Sequence, residues 1–169
     1  DGLNSLIKSE EKMEITITVR DRKYRVLFKR EEKLLYFFDV TEQLEIQTQY
    51  YADRTVLAIL FIDNYDEITS TMDDQARSMA NSLVTSIINE WAAREGIYVK
   101  RIASDRFIAV LNESILGTLE NEKFSILDAV REKTANINMS LTLSIGVGVE
   151  SNSLIELGQL AQSSLDLVL

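Results

Sequence analysis

The sequence contains no cysteine and no histidine. Without cysteine there is no disulfide framework and no redox clue. Together the two absences exclude zinc sites with His or Cys ligands, Ser-His-Asp and Cys-His nucleophiles, and a His-ligated haem. A metal ion here must be a hard cation on oxygen ligands, most simply magnesium. Positive charge is scarce as well. Eighteen Lys and Arg stand against 27 Asp and Glu, a formal net charge of −9. That argues against nucleic-acid binding through a basic surface. No apolar run approaches the roughly 18–20 residues that span a bilayer. Direct membrane contact is therefore not expected, and the first residues do not read as a signal peptide.

What is present suits a folded domain. The 169 residues are 46% hydrophobic and 27% charged, enough for a core and a soluble surface. The chain starts mid-pattern at Asp1-Gly2 and stops inside an apolar helical run at Leu169. It therefore reads as a piece of something longer. Leu3–Lys12 reads as a short helix or loop. Glu14–Val19 alternates as a half-buried strand, Asp21–Lys23 is a turn, and Tyr24–Lys29 and Lys33–Asp39 are two more strands. Three strands with tight turns make an antiparallel meander, which alone has too little to bury its face. Thr41 can cap a connecting helix over Glu42–Tyr51.

A second domain is expected from Asp53. Val56–Ile62 is a continuous apolar run, a buried central strand, ending at Asp63. Asn64–Thr71 is polar. Asp73–Arg94 carries Ala76, Met79, Ala80, Leu83, Val84, Ile87, Ile88, Trp91 and Ala92 at helical spacing. Acids stand at its start and Gly96 at its end. Ile97–Ile102 and Phe107–Leu111 flank a short polar link, a hairpin whose second run is apolar on both faces. Phe124–Thr134 is a second amphipathic helix and Leu141–Val149 a strand. Its Gly146 and Gly148 suggest a bend or a close backbone approach. Ser153 caps a last helix, Leu154–Leu169. The order predicts an α/β fold with a mixed sheet and helices on both faces.

Two acids stand out by position. Asp63 ends the first buried strand, and Asp105 lies at the hairpin turn. Ligands of open α/β sheets gather at strand ends. If the strands are neighbours, the two carboxylates can share one magnesium ion and leave places for water and phosphate oxygens. From spacing alone, each acid reads more often as a turn residue.

These motifs carry a resemblance. LFIDNYDEI at Leu60–Ile68, RIASDRF at Arg101–Phe107, LTLSIGVG at Leu141–Gly148 and LAQSSLDLVL at Leu160–Leu169 follow the order and spacing of a GGDEF domain. That is the nucleotide-cyclase-like fold of diguanylate cyclases. Ala103 and Ser104 stand where the family has two glycines, Asp105 keeps the aspartate, and Arg106 replaces the glutamate. The family's guanine-reading residues fall near Thr69 and Ser70. The inhibitory R-x-x-D motif is half kept, as Arg94 without an acid at Ile97. The resemblance implies a degenerate domain without diguanylate cyclase activity. It also implies that Asp63 and Asp105 are the metal-binding and catalytic acids, and that Asn64, Thr69, Ser104 and Arg106 are nucleotide-binding positions. Arg106 would neutralise phosphate charge there, unless it is only a surface turn residue. The family's triphosphate-holding basic residues lie beyond the last helix.

DNYDE, INEWAAREGIYVKR and AQSSLDL resemble one subgroup more closely, the GdpP (YybT) family of bacterial membrane-anchored cyclic-di-AMP phosphodiesterases. There, transmembrane helices, a PAS domain and a degenerate GGDEF domain precede a DHH/DHHA1 catalytic domain. The resemblance implies the C-terminal part of a PAS domain over 1–41, a linker helix over 42–52 and a degenerate GGDEF domain over 53–169. It implies a regulatory role towards the parent's phosphodiesterase domain, a cytoplasmic location, a homodimer as one form of self-association, and weak magnesium-dependent ATP hydrolysis. Haem would belong to a complete PAS domain and not bind this piece well. Two rivals remain. One is an interaction module that binds no nucleotide; the other is a cyclase acting on another nucleotide.

Overall fold

The computed structural model describes residues 14–137 and 139–167. The segment Leu3–Lys12 and the end of the last helix at Leu169 lie outside the described residues. The chain divides into two compact units, Asp1–Tyr51 and Ala52–Leu169.

In the first unit β1 (Glu14–Val19), β2 (Arg22–Lys29) and β3 (Leu34–Asp39) form the antiparallel meander. The first turn is shorter than expected. Val19 pairs with Arg22, so only Arg20 and Asp21 form the loop, and Arg20 adopts φ 56°. A left-handed residue in a two-residue loop matches the strand twist, which is why pairing begins at Arg22. The helix α1 spans Thr41–Ala52. The Thr41 hydroxyl does not cap it. That oxygen accepts the Lys23 N–H at 2.8 Å and donates to Asp39 Oδ1 at 2.7 Å. Asp39 Oδ1 also accepts the Thr41 N–H at 3.1 Å. These bonds and the Arg22 guanidinium push the Asp39 carboxyl down to about 2. Val26 is fully buried, while Leu34, Phe37 and Phe38 are exposed.

The second unit holds β4 (Thr55–Ile62), the short α2 (Tyr65–Thr69), α3 (Asp74–Glu95), β5 (Tyr98–Arg101) and β6 (Arg106–Asn112). Then come α4 (Glu113–Asn121), α5 (Ile126–Ala135), β7 (Leu143–Gly148) and α6 (Leu154–Asp166). Neither α2 nor α4 is marked in the sequence pattern. Five residues with a polar surface make no periodicity. In α4, Gly117 interrupts a run in which only Leu119 is buried, and Asn112 both ends β6 and caps the helix through the Ile115 N–H.

The sheet order is β5-β6-β4-β7. The fold class is the expected α/β one, but every described pairing in this sheet is antiparallel rather than mixed. β4 is the strand buried on both faces. Val56, Ala58, Leu60 and Ile62 join the cluster formed with α3, α4 and α5. Leu57 and Ile59 pack on Leu157, Ala161 and Leu165 of α6. β6 alternates instead. Phe107, Ala109 and Leu111 are buried, while Arg106, Ile108 and Val110 are only half-buried, so its apolar run is not covered equally on both sides.

The caps of α3 follow the sequence. Asp73 accepts the Ala76 N–H at 2.7 Å, and Gly96 takes φ 71°. Met79 does not join the core; it is 63% exposed, because the buried stripe runs through Ala80, Val84, Ile87, Ile88 and Trp91. The glycines of β7 mark a close approach. A Cβ on Gly146 would stand 2.2 Å from the Ala161 carbonyl oxygen, and one on Gly148 would stand 2.0 Å from that of Leu157.

Candidate functional site

Two strand ends build the site. The β4–β6 ladder runs to the pair Phe61–Arg106, and the Ile62 N–H extends it by donating to the Asp105 carbonyl at 2.8 Å. Asp63 is the next residue along β4. Its N–H donates to the Thr142 carbonyl at 3.1 Å, which ties the same end to the segment entering β7. Asp63 and Asp105 are thus brought to the same end of two neighbouring strands. Asp63 is exposed and Asp105 half-buried.

The other expected positions divide. Asn64 is spent within the fold. Its Oδ1 accepts the Thr142 N–H at 3.0 Å and its Nδ2 donates to the Ser140 carbonyl at 2.8 Å. Thr69 is buried, and its hydroxyl donates to the Tyr65 carbonyl at 2.8 Å. The Ser70 hydroxyl likewise donates to the Glu67 carbonyl. Ser104 is exposed on the turn. Arg106 turns towards α6. Its guanidinium lies 5.4 Å from the Phe61 ring centroid and donates to Gln162 Oε1 at 3.3 Å, while its buried Nε has no partner among the described residues. Arg94 pairs with Glu95, and Ile97 is buried.

The sequence reading missed Arg101. Its guanidinium stacks 5.2 Å from the Phe107 ring centroid and bonds to Asn81, Thr85 and the carbonyls of Ala103 and Ser104. Tyr65 donates to the same Asn81 Oδ1 at 2.9 Å. A cation two residues before a turn is a visible sign, but its partners lie about one helix earlier in the chain.

Among the described residues no group of three His, Cys, Asp or Glu side chains could hold a metal. The acids that the two strand ends bring together are Asp63 and Asp105. Two carboxylates fit magnesium that keeps waters and takes its other oxygens from a bound phosphate.

A four-stranded antiparallel sheet of this order, with helices on both faces and acids at adjoining strand ends, defines the GGDEF, nucleotide-cyclase-like fold. The chain is similar to the active GGEEF domain of a diguanylate cyclase from Vibrio cholerae, with TM-score 0.53 and 14% identity over 73% of this chain and 81% of that one. That likeness shows the fold. The chain belongs to the GdpP-like cyclic-di-AMP phosphodiesterase family: the family's GGDEF-domain model matches residues 60–169 and its PAS-domain model residues 1–40. It is 62% identical over 164 residues to the cyclic-di-AMP phosphodiesterase GdpP of Bacillus subtilis, covering 97% of this chain and 25% of that protein. It is 57% identical over 169 residues to GdpP of Geobacillus thermodenitrificans, covering 100% of this chain and 26% of that protein. The chain thus spans about a quarter of the length of these relatives. Among the described residues no helix is long and apolar enough to cross a membrane.

Proposed function

We propose that this chain is the degenerate GGDEF domain, with part of a PAS domain, of a bacterial membrane-anchored cyclic-di-AMP phosphodiesterase. In this reading it sits on the cytoplasmic side, self-associates as a homodimer, and gates a phosphodiesterase domain carried elsewhere in the parent protein. Its own chemistry is slow, magnesium-dependent ATP hydrolysis at Asp63 and Asp105. The observation that carries this reading is the placement of those two acids at adjoining strand ends, tied by the bond from the Ile62 N–H to the Asp105 carbonyl. Haem belongs to a complete PAS domain; this chain offers iron neither histidine nor cysteine.

In the reaction a water oxygen bonds to the γ-phosphorus of ATP. The bond from phosphorus to the bridging oxygen breaks, its electron pair leaves with ADP, and the water's proton passes to solvent. Magnesium, when bound, polarises the phosphate oxygens and offsets their charge. Asp63 and Asp105 would hold it. With only two acids, the nucleotide's own oxygens would complete the site. Dinucleotide cyclisation is not expected, because the position of the family's glutamate is a cation stacked on Phe61.

One observation favours the interaction module instead. The Asn64 amide and the Thr69 hydroxyl are engaged within the fold, so fewer side chains are left to read a base. Phosphate release from ATP and GTP with magnesium separates the two readings. The expected result is slow release that stops without metal and falls at least about tenfold in Asp63→Ala and in Asp105→Ala. Release untouched by either substitution would belong to a contaminant. In that case, or with no nucleotide binding at all, the interaction module stands.

A further inference from the structure

Arg101 has five N–H donors in a fixed fork, and each one has an acceptor. Nε donates to the Ala103 carbonyl at 3.1 Å. One terminal nitrogen donates to the Asn81 carbonyl at 3.3 Å and the Thr85 hydroxyl at 3.0 Å. The other donates to Asn81 Oδ1 at 2.8 Å and to the Ser104 carbonyl. The guanidinium therefore joins α3 to two successive carbonyls of the hairpin turn. In a trans peptide the carbonyl and the N–H point in opposite directions. With the Ala103 and Ser104 carbonyls drawn to Arg101, the N–H groups of Ser104 and Asp105 face away from it. Neither has an acceptor among the described residues. Successive free N–H groups on one side of a turn make an anion-binding concavity. The turn uses no left-handed residue at Ala103 or Ser104, so it holds this shape without the glycines.

We propose that Arg101 is a positioning residue. It holds the turn so that the Ser104 and Asp105 N–H groups receive a nucleotide phosphate oxygen beside the acid pair. The proposal rests on the nucleotide reading above and adds to it the group that keeps the site in shape when glycines are absent. Lysine cannot take the place of Arg101, because a single ammonium has three donors and no planar fork.

The test is a titration of the ¹⁵N-labelled chain with the imido analogue of ATP and magnesium, followed by amide resonances and thermal midpoints. In the parent chain the Ser104 and Asp105 amides shift on binding. Arg101→Lys weakens binding about tenfold, the order expected when an outer partner that orients a binding group is lost, and the two amide shifts shrink. Thr85→Val removes one acceptor and acts in the same direction with a smaller change, which keeps the test valid if Arg101→Lys melts early. Parent-like affinity and amide shifts in folded Arg101→Lys overturn the inference. Binding by the parent without shifts at Ser104 and Asp105 also overturns it, and leaves the nucleotide site standing. Absence of binding by the parent removes both.

Discussion

On one face of the four-stranded sheet Val56, Ala58, Leu60 and Ile62 meet three helices, α3, α4 and α5. On the other face Leu57 and Ile59 meet one helix, α6. The first face is filled by side chains, with Phe107, Ile88, Trp91 and Ile126 among those buried. The second is closed by Leu157, Ala161 and Leu165 against Leu57 and Ile59, and beside them by the backbone of α6. At Gly146 and Gly148 no Cβ fits beneath the Ala161 and Leu157 carbonyls. One face is thus specified by the sizes of its residues, the other also by two positions that must have no side chain. Both matter to the site. β4 runs between the two clusters and leads directly to Asp63, and Arg106 leaves β6 on the α6 side.

The largest effect is expected where backbone meets backbone. In Gly148→Val the new side chain would overlap the Leu157 carbonyl, and no rotamer avoids a clash that starts at Cβ. Overpacking a core costs about 1–3 kcal/mol even where side chains can shift. Here a helix must move, so the loss should exceed about 3 kcal/mol, as read by urea denaturation. A parent-like midpoint would mean that α6 rides higher on β7 than the structure shows.

Phe107→Ala tests the other face. The ring is fully buried, and deleting such a ring costs about 3–5 kcal/mol with the cavity included. The substitution also removes the surface on which Arg101 stacks. A drop in nucleotide affinity larger than the stability loss accounts for would connect this face to the turn.

The same contrast explains what the sequence reveals. The filled face is periodic, so the stripe of α3 and the run of β4 are readable, and the α6 face shows itself through the glycine pair. The boundaries fail where local chemistry competes. Arg20 in a left-handed conformation shortens the first turn, and Asn112 starts α4 directly out of β6. The candidate site shows only part of itself in the sequence. Asp63 and Asp105 are acids at the ends of buried runs, a pattern that sequence displays. Asn64 and Thr69 sit where the family resemblance expects nucleotide contacts, yet folding engages both groups in internal hydrogen bonds. Those bonds reach Ser140, Thr142 and Tyr65, and no spacing rule announces them. Arg101 escapes for the same reason, since its partners Asn81 and Thr85 lie in α3.

The smallest expected effect lies on the solvent side of the filled face, where α3 and α5 are linked by charge. Glu90 accepts a hydrogen bond from the Ser86 hydroxyl at 2.8 Å and lies 3.6 Å from the Lys133 ammonium. These two neighbours, the hydroxyl first, lower its pKa below the ordinary glutamate value. A carboxyl depressed in the folded state adds stability above its unfolded pKa, about 4.3, and loses it as pH falls through the folded value. Glu90→Gln should therefore be slightly less stable than the parent at pH 7, and the gap should close as the pH is taken well below about 4. Urea midpoints of the two chains across that range check it. A gap that persists in acid would mean that Glu90 acts through packing, and that neither its ionised hydrogen bond to Ser86 nor its charge opposite Lys133 contributes to joining the helices of the filled face.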